Sequence, residues 1–138
     1  MRKNFIKIFL PAIGTIFLDQ ITKYLIFNGF INMEYSKNTG IAFGISMPFY
    51  LLSGINVFLL FLIVYLAYKE LNLSKILSQI SMGIILGGAI GNIIDRLRYG
   101  YVIDFISIWK YPSFNIADIG ITAGIFIIVL FYGKLKLR

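Results

Sequence analysis

The sequence predicts an all-α integral membrane protein. Four transmembrane helices are expected, with a small extracytoplasmic platform of strand and loop and a second extracytoplasmic loop lying at the membrane interface. Three observations lead there. The 138 residues are 59% hydrophobic and only 14% charged, whereas a soluble domain averages about 45–50% apolar and about 25% charged. The mean hydropathy is +0.85. The apolar residues fall into four runs, each near the roughly 20 residues that a helix needs to cross about 30 Å of hydrocarbon. A chain of this length is expected to form one domain, residues 1–138.

The first run extends from Phe5 to Phe27 and is interrupted by Lys7, Asp19 and Lys23. Its basic start resembles a secretory leader, but no small-residue cleavage site follows and the next residues are Asp19 and Gln20, so it reads as a retained helix. The second lies in the uncharged stretch Asn38 to Tyr68, helical from about Pro48. The third is the uncharged stretch Ile76 to Ile94. The fourth runs from Phe114 to Gly133 and holds one charge, Asp118. Between the first two runs, Asn28 to Met47 alternates enough to form a strand-rich platform, with Gly40 and Gly44 as hinges. Between the last two, Leu97 to Ser113 contains YVIDFISIW, too short to span and suited to lie in the interface or to dip back in. Tyr99, Tyr101, Trp109 and Tyr111 fit an interfacial aromatic belt.

The net charge of +7 arises from 13 basic and 6 acidic residues. The cations sit at the ends of apolar runs, which points to topology and lipid headgroups rather than nucleic acid. Arg2, Lys3, Lys7, Lys69, Lys75, Lys134, Lys136 and Arg138 fall on one side; Lys37, Arg96, Arg98 and Lys110 fall on the other, with Lys23 near the end of the first helix. The excess places both termini in the cytoplasm.

The absence of cysteine and histidine excludes disulfides, thiol nucleophiles, histidine-assisted serine catalysis and zinc sites built on those ligands. A hydrolase of this composition is left with Asp or Glu, a Ser–Lys pair or a borrowed metal. Of the six carboxylates, Asp19, Asp95, Asp104 and Asp118 gather at the outer boundary, and Glu34 lies in the outer loop nearby. Ionisable groups at membrane depth disfavour insertion by about 2.5–3.5 kcal/mol each, so they suggest function. A purely structural reading stands beside that one. Lys23 follows Asp19 at i+4, the favourable order for an ion pair. Arg96 and Arg98 are placed to pair with Asp95. Asn92, in the small-residue run Gly87, Gly88, Ala89 and Gly91, suits interhelical hydrogen bonding. Asp104 and Asp118 have no adjacent cation, and for them function is the better reading.

Two carboxylates that share a proton can hydrolyse an amide: one takes a proton from water and the other donates to the scissile carbonyl. Asn38, Asn92, Arg96 and Asn115 fall at the same boundary and can orient a carbonyl or the pair itself. Two other classes compete. A proton-conducting transporter would also place Asp in the membrane, but here no acidic chain leads to the far side. A helix-packing scaffold would need the polar residues only for assembly.

Five segments are similar to the lipoprotein signal peptidases, or signal peptidase II: DQITK (Asp19 to Lys23), NTGIAFG (Asn38 to Gly44), GGAIGNIIDRL (Gly87 to Leu97), VIDFI (Val102 to Ile106) and FNIADIGI (Phe114 to Ile121). The resemblance implies a bacterial cytoplasmic-membrane aspartic endopeptidase that cleaves prolipoproteins on the N-terminal side of a diacylglyceryl-modified cysteine. It puts the catalytic pair on Asp104 and Asp118, with Asp19, Asn38, Asn92, Arg96 and Asn115 in support; Lys23, Gly40 and Asp95 join the supporting set by their positions beside these residues. It implies no metal or organic cofactor, and sensitivity to globomycin-type cyclic peptides. Four helices with one complete site are compatible with a monomer.

Overall fold

A computed structural model of the chain describes residues 6–41, 45–46 and 48–137. Phe5, Gly44, Met47 and the terminal cations Arg2, Lys3 and Arg138, which the sequence argument used, lie outside the described residues. The elements are α1 (Ile6–Phe27), β1 (Ser36–Asn38), β2 (Gly40–Ile41), β3 (Ile45–Ser46), α2 (Phe49–Glu70), α3 (Ile76–Tyr99), β4 (Val102–Asp104), α4 (Ile116–Leu130) and α5 (Tyr132–Leu135). By length and apolarity alone, α2 (from Tyr50) and α3 suffice to cross a membrane, with mean hydropathies of 2.2 and 1.6. α1 is equally long at 22 residues but carries Lys7, Asp19 and Lys23; the last two are buried against each other and do not face outward. α4 has 15 residues, about 22 Å at 1.5 Å per residue. It is shorter than the predicted run to Gly133 because the backbone leaves the helix at Phe131 before α5 resumes.

α3 is the central element. α1 packs parallel to it and α4 antiparallel, and both approaches depend on glycine. A Cβ on Gly87 would lie 2.5 Å from the Ala12 carbonyl oxygen and 2.8 Å from Thr15 Cβ. Gly88 backs onto the Ala117 carbonyl, and Gly124 of α4 meets Ser81 and Ile85. In lipid, helices gain little from burying apolar surface against each other, so close backbone approach through small residues carries the association. Large apolar side chains cover much of the outside, and polar ones join Ile85 and Ile103 in the interior. Leu10, Phe61 and Val129 are well exposed, while Asp19, Asp95, Asn115, Ser78 and Ser81 are fully buried.

At one end the strands form the predicted platform, but it is shared between the two loops. β1 pairs antiparallel with β4, with Ser36 opposite Asp104 and Asn38 opposite Val102. β2 pairs with β3. One expectation is corrected here. α3 does not end at Asp95; it continues to Tyr99 and is stopped by Gly100 in the left-handed conformation (φ 79°), so Asp95 is a turn inside the helix. The following loop begins at Gly100; its Val102 and Ile103 are buried in protein, while Ile108, Trp109 and Tyr111 are exposed. At the opposite end, Leu71 bridges Lys136, Asn72 N donates to Leu135 O (2.7 Å), Leu137 N donates to Glu70 O (2.8 Å), and the Lys75 ammonium reaches the Lys134 carbonyl.

Candidate active site

Asp104 ends β4, where pairing with β1 fixes its backbone and brings Asn38 beside it. Asn38 Nδ2 donates to Asp104 Oδ2 (2.9 Å), and Gly40 N donates to Asn38 Oδ1 (3.1 Å), which holds that amide in place. Asp104 Oδ1 accepts from Asn115 Nδ2 (2.6 Å). Asn115 is the N-cap of α4 and forms a capping box with Asp118: Asp118 N donates to Asn115 Oδ1 (2.9 Å), and Asn115 N donates to Asp118 Oδ2 (3.3 Å). Asp118 Oδ1 accepts from Asn92 Nδ2 (2.7 Å), and Asn115 Nδ2 also donates to Asn92 Oδ1 (3.1 Å). Both predicted catalytic carboxylates are thus held by one asparagine, one from strand β4 and one from the first turn of α4.

Behind them lies a buried charge cluster. Lys23 Nζ contacts Asp19 Oδ2 at 2.7 Å and Asp95 Oδ2 at 2.8 Å, and donates to Asn92 Oδ1 (3.3 Å). An ammonium has three N–H groups, and three acceptors meet it, which is what a buried cation requires. The expected i,i+4 pair of Asp19 and Lys23 is present. The expected pairing of Asp95 with Arg96 or Arg98 is not: its cation is Lys23, because Asp95 points across to α1. Asp95 Oδ2 also accepts from Ile103 N (3.1 Å) and so anchors β4. Asp19 Oδ1 accepts from Ala117 N (2.9 Å), a free N–H in the first turn of α4. Arg96 Nη1 reaches its own helix at Asn92 O (3.4 Å); its Nε is buried without a partner, and it feels the charges of Asp118, Asp104 and Asp95.

Sequence reasoning missed Gln20. Its Nε2 donates to Asp95 Oδ1 (2.8 Å), Asp19 Oδ2 (3.2 Å) and Gly91 O (3.2 Å), joining α1 to α3. A polar side chain next to the Asp19–Lys23 pair in an apolar helix was the available signal. Glu34 is exposed and takes no part.

Burial pushes the Asp104 carboxyl up to about 6. The bond from Asn38 opposes that, the charge of Asp118 adds to it, and the bond from Asn115 and the charge of Lys23 oppose it. A cavity of about 850 Å³ opens beside the pair between α2 and α4. Asn38, Gly40, Asn92, Arg96 and Asp118 lie in its wall; Asp104, 2% exposed, stands one hydrogen bond behind Asn38. The arrangement sets two carboxyl groups in one hydrogen-bond network beside a cavity roomy enough for water, the donor set that acid–base hydrolysis requires.

A family model described as "Signal peptidase (SPase) II" matches residues 11–133. A lipoprotein signal peptidase of Thermodesulfovibrio yellowstonii is 39% identical, with 97% of this chain and 95% of that protein covered. One of Moorella thermoacetica is 36% identical, with 86% and 87% covered. A bacterial membrane enzyme solved by the in meso method at 2.3 Å resembles the fold with a TM-score of 0.77 at 30% identity, covering 91% of this chain and 86% of that one.

Proposed function

The chain belongs to the signal peptidase II family, and from that premise we propose that it removes the signal peptide from diacylglyceryl-modified prolipoproteins, with Asp104 and Asp118 as its working carboxylates. The observation that carries this is Asn115, whose side chain and backbone bond both acids, Asp118 in the cavity wall and Asp104 just behind it. Asp118, in the cavity wall, takes a proton from water. The water oxygen attacks the carbonyl carbon on the N-terminal side of the modified cysteine. Asp104, whose carboxyl is held above its ordinary value by burial, donates to the carbonyl oxygen. When the C–N bond breaks, the proton held by Asp118 passes to the cysteine amine, and the proton on the carbonyl-derived hydroxyl returns to Asp104. Because the two acids are coupled, the apparent pKa values belong to the pair.

On this reading α1 to α4 all cross the bacterial cytoplasmic membrane, residues 1–138 act as a single domain, both termini are cytoplasmic and the cavity opens at the extracytoplasmic boundary. Supporting it, Lys69, Lys75, Lys134 and Lys136 collect at the end opposite the carboxylates. The chain by itself supplies both acids, which suits a monomer, and globomycin-type peptides would compete for the same cavity. The platform clamps the substrate through Gly40. Gly40→Pro removes the N–H that holds Asn38 Oδ1; cleavage should fall by about tenfold, the worth of one well-placed hydrogen bond, and full activity would argue against the clamp.

The central test uses purified protein and a diacylglyceryl-modified prolipoprotein, with cleavage read by gel shift. Asp104→Asn and Asp118→Asn should each lower the rate by at least about a hundredfold while unfolding thermally near the wild-type temperature. Substantial activity in either variant would remove that residue from the dyad. Failure of the wild type to cut would remove the function itself.

A further inference from the structure

α2 contains one carboxamide, Asn56, in a helix whose other residues from Phe49 to Tyr68 are aliphatic, aromatic, glycine or Ser53. An amide is unfavourable at that depth unless it is paired. Helix packing does not explain it. Only 11% of the apolar window of α2 is buried, and the hydrogen bond Asn56 makes is to its own helix, Nδ2 to Leu52 O (2.7 Å). A carboxamide has a second N–H and an acceptor oxygen; among the described residues neither has a protein partner. Asn56 lines the same cavity as Asp118, beside Leu52, Ile55 and Leu59 of α2 and facing a wall of α4 that carries Thr122 and Phe126.

The substrate brings two things into such a cavity. Acyl chains offer no donor or acceptor. A peptide held extended for cleavage exposes backbone N–H and C=O groups, which are costly to leave unpaired where water is excluded. We propose that Asn56 is a substrate-positioning residue whose side-chain oxygen accepts from a backbone N–H of the signal peptide, on the N-terminal side of the scissile bond. It works across the cavity from the α4 wall that carries Asp118. This rests on the reading of the chain as a lipoprotein signal peptidase.

The test uses the full chain reconstituted in lipid and synthetic diacylglyceryl peptides. The wild type cutting the all-amide peptide is the control; its failure would count against the proposed function. Asn56→Leu, close in volume and more apolar, is expected to keep the wild-type Tm and kcat and to raise KM by about tenfold, the effect of one lost hydrogen bond. Peptides with one amide replaced by an ester, at each of the last few residues before the cleavage point, locate the partner. At one position the ester should raise the wild-type KM as much as Asn56→Leu does, and combining the two should add nothing. The proposal is overturned if Asn56→Leu leaves KM unchanged, if it acts through a fall in Tm, or if the two penalties multiply at every position.

Discussion

Asn38 and Asn115 each donate to a different oxygen of Asp104, and both bonds favour the ionised form against the upward push of burial. With Asp104 carrying the proton that the reaction needs, kcat/KM should decline as pH rises past about 6. Asn38→Ala removes an opposing bond, so Asp104 should hold its proton to higher pH and the alkaline limb should move upward. A pH–rate profile checks this; a downward move would assign the proton to Asp118. At this scale the sequence was informative wherever chemistry is local. Lys23 four residues after Asp19 is an ion pair on any helix. For the third member, Asp95, adjacency points to Arg96 and Arg98, and adjacency misleads. Side chains one apart on a helix point to different faces, and the face of α3 that carries Asp95 is the one turned to α1.

The glycines of α3 and α4 divide by what they touch. Gly88 and Gly124 have neighbouring backbone where a Cβ would go, whereas Gly54 in α2 has nothing within 4 Å. Gly88→Val should destabilise by about 1–3 kcal/mol through overpacking and lower activity with it, since α4 carries Asp118. Gly54→Ala should be neutral or stabilising by up to about 1 kcal/mol, because alanine favours the helix. Thermal unfolding in detergent separates the two; equal losses would mean that glycine content, not contact, matters. The helices were legible as uncharged runs, and Pro48 marked the start of α2. Their ends were less so. A run of apolar residues does not register that α3 continues past its charges until Gly100 stops it, or that Phe131 interrupts α4. The pairing of β1 with β4 joins residues more than sixty positions apart, and two three-residue strands carry no periodic signal long enough to announce it.

For the whole molecule, the polarity of the two ends makes a topological prediction that the absence of cysteine makes simple to test. A cysteine at Lys110 should react with an impermeant maleimide added outside intact cells. One at Lys134 should react only after the membrane is opened. The opposite pattern would invert the proposed orientation. The platform strand pairing also bears on how the protein is made. Asp104 is bonded to Asn38, synthesised before α2, and to Asn115, synthesised just before α4. A nascent chain that has released everything through Asp104 still lacks Asn115 and Asp118. Newly translated copies should be inert toward lipoproteins using the same insertion route until the last helix leaves the ribosome, so activity appears at completion rather than by degrees.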